Sequence, residues 1–206
     1  MRPKALFITL VALLPALSLS APDASAQSSG PARVQTRHPP ASDARRVSAT
    51  FGVSGGSAAL TCQFCSGEMK GSFAGMLGVE TALRPSVRLG LELQWWRYSG
   101  GGATRSVIAG APVVHFHPFR SRRLFVKTGL GLARFAATSA EEELHTGVIA
   151  AVVGAGYDFR LTPQYVLVPY LSWLTGGSGT MRLNGEVVTP RSGVSLLQYG
   201  FAIALR

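Results

Sequence analysis

The sequence predicts an all-β fold, an eight-stranded antiparallel up-and-down barrel that crosses a membrane with its strands. Three observations lead there. Long stretches alternate large apolar residues with small or polar ones, which is the two-residue period of a β-strand. In those stretches glycines share a face with ionised residues, and the bulky apolar side chains hold the other face. The composition agrees: 24 glycines and 47% hydrophobic residues stand beside only 15% charged ones, where soluble domains carry ~25%.

The chain opens on a segment that is not part of that fold. Residues 1–26 have Arg2 and Lys4 ahead of the apolar run ALFITLVALLPALSLS, then Ala24-Ser25-Ala26. This is the layout of a cleaved export signal, and the run is short for a spanning helix. Residues 27–46, QSSGPARVQTRHPPASDARR, are polar and broken by Pro31, Pro39 and Pro40. They predict a flexible periplasmic tail with no amphipathic helix. The barrel is expected over residues 47–206.

Eight strands follow, at about 47–60, 70–83, 86–98, 104–117, 123–136, 147–160, 165–174 and 194–205. In VRLGLELQWW, Leu89, Leu91, Leu93 and Trp95 oppose Arg88, Gly90, Glu92, Gln94 and Trp96. In LFVKTGLGLA, Leu124, Val126, Leu130 and Leu132 oppose Lys127, Gly129, Gly131 and Ala133. In VVGAGYDFR, Val153, Tyr157 and Phe159 oppose Gly154, Gly156, Asp158 and Arg160. The last strand sets Tyr199, Phe201, Ile203 and Leu205 against Gln198, Gly200, Ala202, Ala204 and Arg206.

A soluble sandwich or lipocalin-like barrel puts apolar residues inside and charges in water, so glycine has no reason to travel with charge. A small membrane barrel has a narrow interior where glycine relieves crowding and charges pair. The second arrangement accounts for both facts. It places Glu80, Arg88, Glu92, Lys127, Asp158 and Arg160 in the lumen as mutually compensating ion pairs, because an unpaired charge there is costly.

The connectors set a direction. Arg84–Ser86, Phe119–Arg123 and Leu161–Gln164 read as tight turns, whereas TCQFCSGEM, SGGGA, TSAEEELHT and residues 175–193 read as longer or more glycine-rich loops. Short periplasmic turns alternating with long outer loops are the pattern of outer-membrane barrels. The eight-strand count puts both termini on the periplasmic side.

Net charge is +10, but Arg33, Arg37, Arg45 and Arg46 sit in the tail and Arg120, Arg122 and Arg123 share one short turn. No basic stripe interleaved with aromatics marks a nucleic-acid surface. Cys62 and Cys65 are the two cysteines of the chain. Two thiols fall short of a zinc site, and an exported chain favours a local disulfide. His115 and His117 sit at the far end of the barrel, and His145 in the third loop does not complete a site. No cofactor and no metal are expected.

With VRLGLELQWW, HFHPFRSRRLFVKTGLGLARF and VVGAGYDFR in view, the chain resembles the small outer-membrane β-barrel family of the OmpA/OmpX type over residues 47–206. The ending QYGFAIAL resembles that family's assembly signal, carried here by Gln198, Gly200, Ile203 and Leu205. Arg206 departs from the aromatic residue with which many members end. The resemblance implies an outer-membrane address and monomeric barrels. It also implies outer-membrane lipid, lipopolysaccharide and the barrel-assembly machinery as partners. Lipid-modifying barrels need an outward His and Ser near the outer leaflet or a preceding amphipathic helix, and neither is expected here. The expectation is a non-catalytic envelope protein working in envelope integrity or surface contact through its outer loops, with a narrow pore or a transport barrel for small apolar molecules as the rival.

Overall fold

The computed structural model describes residues 47–63, 65–119 and 123–206. The export signal, the tail and the middle of the turn expected at Phe119–Arg123 lie outside the described residues. The strands are β1 (Val47–Cys62), β2 (Lys70–Arg84), β3 (Val87–Gly100), β4 (Ala103–Phe116), β5 (Leu124–Thr138) and β6 (Glu143–Tyr157). They continue with β7 (Phe159–Arg160), β8 (Tyr165–Leu183) and β9 (Glu186–Leu205). Every neighbouring pair is antiparallel, and β6 pairs with β8 to close the circle. β7 prolongs β6 past Asp158, so the wall has eight staves. Closure lets the strands satisfy one another's backbone groups at membrane depth, as lipid requires, with interruptions at Ala111–Pro112 between β4 and β5 and at Val148 between β6 and β8.

The two faces fall as the alternation predicts. Leu91, Leu130, Leu132 and Ile149 are 68–72% exposed on the outside, while Glu92, Lys127 and Asp158 are at most 5% exposed within. The lipocalin-like arrangement, with Leu89, Leu91 and Leu93 around a cavity, is overturned: all three point out. Inward glycines make room for their neighbours. A methyl group on Gly56 would stand 2.8 Å from the Ala74 Cβ and 3.1 Å from the Trp96 ring, and Trp96 Nε1 donates to the Gly56 carbonyl at 3.1 Å.

The loops are where the structure departs from expectation. SGGGA closes to the two-residue turn Gly101–Gly102, and TSAEEELHT to the four residues Ser139–Glu142, because the strands run on through the flanking residues. The segment 175–193, expected as the longest loop, is the far half of a β8–β9 hairpin. Its turn is Asn184–Gly185, with φ of 49° and 87°; two consecutive positive φ values define the tight turn that suits strand twist. Asn184 Oδ1 accepts from the Glu143 amide and the Asn184 amide donates to the Glu143 carbonyl, both at 2.8 Å. The hairpin tip is thereby pinned to the start of β6.

Past Ser192 the hairpin outruns β1, whose pairing with β9 ends at Cys62. Residues 186–191 of β9 therefore form an edge with β8 on one side only. Pro190 lies in that edge, where a residue without an amide hydrogen costs no ladder bond.

Candidate functional site

The lumen is built in two tiers. Toward the hairpin end, inward residues of all eight staves fill it with apolar side chains, among them Trp96, Val107, Leu174, Val194 and Leu196, each at most 1% exposed. Below them polar groups take over. Gln94 Nε2 donates to Ser172 Oγ at 3.1 Å and also reaches Glu92. Lys127 Nζ donates to both carboxylate oxygens of Glu92 at 2.7 Å. Gln198 Nε2, from β9, donates to the carbonyls of Gly75 and Trp95, tying the last strand to β2 and β3.

Nearest the termini lies a second cluster of charge. Arg88 is 2.9 Å from Glu80 Oε1, Ser48 Oγ donates to the same oxygen at 3.0 Å, and His115 Nδ1 is 3.0 Å from Glu80 Oε2. Arg206 lies 2.5 Å from Asp158 Oδ2, with Arg88 and His117 at 3.9 and 3.8 Å from that atom. Between the two clusters remains a cavity of about 30 Å³, lined by Glu80, Glu92, Lys127, Asp158 and Tyr170 among others. That is room for about two water molecules.

Of the six charges expected in the lumen, the structure brings Glu80 to Arg88 and Glu92 to Lys127, and sets Asp158 against Arg206 and Arg88. Arg160 is a correction. It is exposed in β7, takes part in none of the ion pairs among the described residues, and borders a basin of about 280 Å³ at the barrel mouth. The stave ends there, so its alternation leads to the rim instead of the interior. Ser48, Gln94 and Arg206 joined the polar interior without having been singled out. Their inward parity was readable, but which charge each would meet was not.

Cys62 and Cys65 are joined by a disulfide at the start of the first loop. Gln198 is fully buried, Gly200 packs against the backbone of Val53 and Ser54, and Ile203 and Leu205 face outward. His145, expected in a loop, lies on β6, because that strand begins at Glu143, and it faces outward toward the hairpin end, which corrects the expectation that no outward histidine stands near the outer leaflet.

Neither a protein-family model nor a curated protein sequence matches the chain. Solved structures do match. The Neisserial surface protein A (NspA) superposes with a TM-score of 0.50 at 10% identity, over 76% of this chain and 96% of that one. The attachment invasion locus protein Ail of Yersinia pestis, crystallised with the heparin analogue sucrose octasulfate, gives 0.46 at 9% identity, over 76% and 98%. The outer membrane protein OprG of Pseudomonas aeruginosa gives 0.44 at 9%, over 78% and 96%. At such identities the likeness is one of fold. With that fold, an apolar belt outside and paired charges within, the chain is an eight-stranded β-barrel of the outer membrane.

Proposed function

We propose that this barrel is a non-catalytic envelope protein that acts as a monomer through the rim at its hairpin end. The filled lumen carries the reading: the Trp96–Leu174–Leu196 tier lies above the Glu92–Lys127 pair, beside which the cavity between the charged clusters holds about 30 Å³. On this reading a molecule larger than water finds no route along the axis. What remains accessible at the hairpin end is the disulfide loop beginning at Cys62 and the free β9 edge from Glu186 to Arg191, where Val187 and Val188 are exposed. An edge strand beside a braced loop is a surface on which another molecule can add backbone pairing or side-chain contacts. Delivery to the membrane rests on β9, the strand carrying Gln198, Gly200, Ile203 and Leu205, as the segment read by the assembly machinery.

Planar-bilayer recording tests the sealed lumen. The purified refolded barrel is expected to give no discrete conductance steps; stable steps would replace this reading with that of a narrow pore.

A further inference from the structure

We propose that the outer wall of β5, β6 and β8 near the hairpin end binds a phosphorylated glycolipid of the outer leaflet. Arg134, His145 and Arg182 would hold its phosphates, with an acyl chain in the trough beside them. The inference rests on the barrel's orientation and not on whether its lumen is sealed.

On β6, Thr146 and Val148 are buried in the lumen, so His145 and Gly147 face outward. Gly147 lies opposite Arg134 on β5, and His145 lies opposite Arg182 on β8. Residues directly opposite across an antiparallel pair share a face, so the three basic residues stand together on the outside. Strand spacing and rise place their backbones within about 12 Å of one another, a span that suits more than one phosphate. Among the described residues none of the three is in an ion pair, and the solvent-shielded Nδ1 of His145 has no hydrogen-bond partner. Glu143, the next outward residue toward the tip, pairs with none of them.

Beside these charges runs an outward trough of about 1050 Å³, lined by Ile108, Leu132, Arg134, His145 and Ile149 over Gly110, Gly147 and Gly177. A methyl group on any of these glycines would meet nothing within 4 Å. Two outward glycines elsewhere are roofed, Gly55 by the Tyr199 ring and Gly75 by the Trp95 ring. Ile149 and Leu132, which edge the trough, are the most exposed large apolar side chains among the described residues, at 72% and 70%. An open apolar channel leading to unpaired cations is complementary to a lipid with an anionic head. The outer leaflet supplies such a lipid as a phosphorylated glycolipid.

The test measures binding of diphosphorylated lipid A, its dephosphorylated form and phosphatidylglycerol to the full barrel in detergent micelles, by native mass spectrometry. Wild type is expected to bind diphosphorylated lipid A roughly tenfold or more tightly than either of the others, the loss expected for missing charge-assisted hydrogen bonds. The pair Arg134→Gln and Arg182→Gln should remove that preference. Gly147→Leu with Gly177→Leu fills open space, so the barrel should keep its strand signal in circular dichroism while its affinity falls with the charges intact. Equal affinity for the three lipids, or unchanged binding in both folded double variants, overturns the proposal.

Discussion

Lys127 reaches across β4 from β5 to place its ammonium 2.7 Å from both carboxylate oxygens of Glu92 on β3, with neither residue more than 5% exposed. A charge held this deep is tolerated because its counter-charge is there. Removing one member strands the other, so Lys127→Met or Glu92→Gln is expected to cost about 3–5 kcal/mol. Replacing both by apolar residues of similar volume should restore most of that loss. Urea unfolding of the refolded barrel in micelles, followed through tryptophan fluorescence, measures all three. A double variant as unstable as the worse single one would show that the pair also serves as a spacer.

Arg206 gives the terminal end its own closure. Its guanidinium is the nearest cation to Asp158, whose carboxylate is otherwise 3.9 Å from Arg88 and 3.8 Å from His117. Arg206→Ala is expected to destabilise by about 2–5 kcal/mol, the usual result of truncating one partner of a buried hydrogen-bonded pair. Arg206→Phe, which places an aromatic residue at the chain end, should be destabilised equally, since ring and methyl alike leave Asp158 without its closest donor. The same unfolding experiment distinguishes these from Arg160→Ala, whose side chain is exposed at the rim and whose loss should stay within about 0.5 kcal/mol.

These two clusters show what alternation conveys and where it stops. Parity along VRLGLELQWW separates lipid-facing Leu91 from lumen-facing Glu92 without ambiguity, because a one-residue slip would expose every charge to hydrocarbon. Parity also turns Arg206 inward. It does not say that Arg206 meets Asp158, since that depends on how far β9 is staggered against β7 and β8 around the circle, a property of no single strand. The segment 175–193 failed for another reason. Its TGGSGT run looks like a loop by composition, yet the register shifts there absorb the glycines without ending the ladder. The informative dipeptide was Asn184-Gly185, the strongest short hairpin signal. Arg160 was misplaced because parity has no meaning once a stave reaches the membrane surface.

The hairpin turn can be weakened without touching the barrel. Gly185 has φ of 87°, a region where an added side chain is strained. Gly185→Val should therefore cost about 1–2 kcal/mol locally. Since residues 186–191 of β9 pair with β8 alone, that cost should appear as faster amide exchange at residues 180–191. Exchange in Val194–Leu205, which has strands on both sides, should be unchanged. If the whole of β9 loses protection, the hairpin and barrel are one cooperative unit. Surface binding that depends on the edge should weaken in the same variant.

The two tiers of the lumen predict how hard it is to open. Trp96 is the largest of the fully buried side chains, anchored by its indole N–H to the Gly56 carbonyl at 3.1 Å. Trp96→Ala removes the greatest volume from the upper tier at a cost of about 3–5 kcal/mol. The Glu92–Lys127 pair and Gln94 still bridge the lumen below it, so this variant is expected to remain non-conducting in planar bilayers. Opening both tiers, with Trp96→Ala combined with Glu92→Ser and Lys127→Ser, should produce discrete steps in preparations whose circular dichroism retains the strand signal. Conductance from Trp96→Ala alone would mean that the ion pair parts readily and that the indole is the whole seal. Silence from the folded triple variant would place a further obstruction at the terminal cluster, where Glu80, Arg88, Asp158 and Arg206 converge.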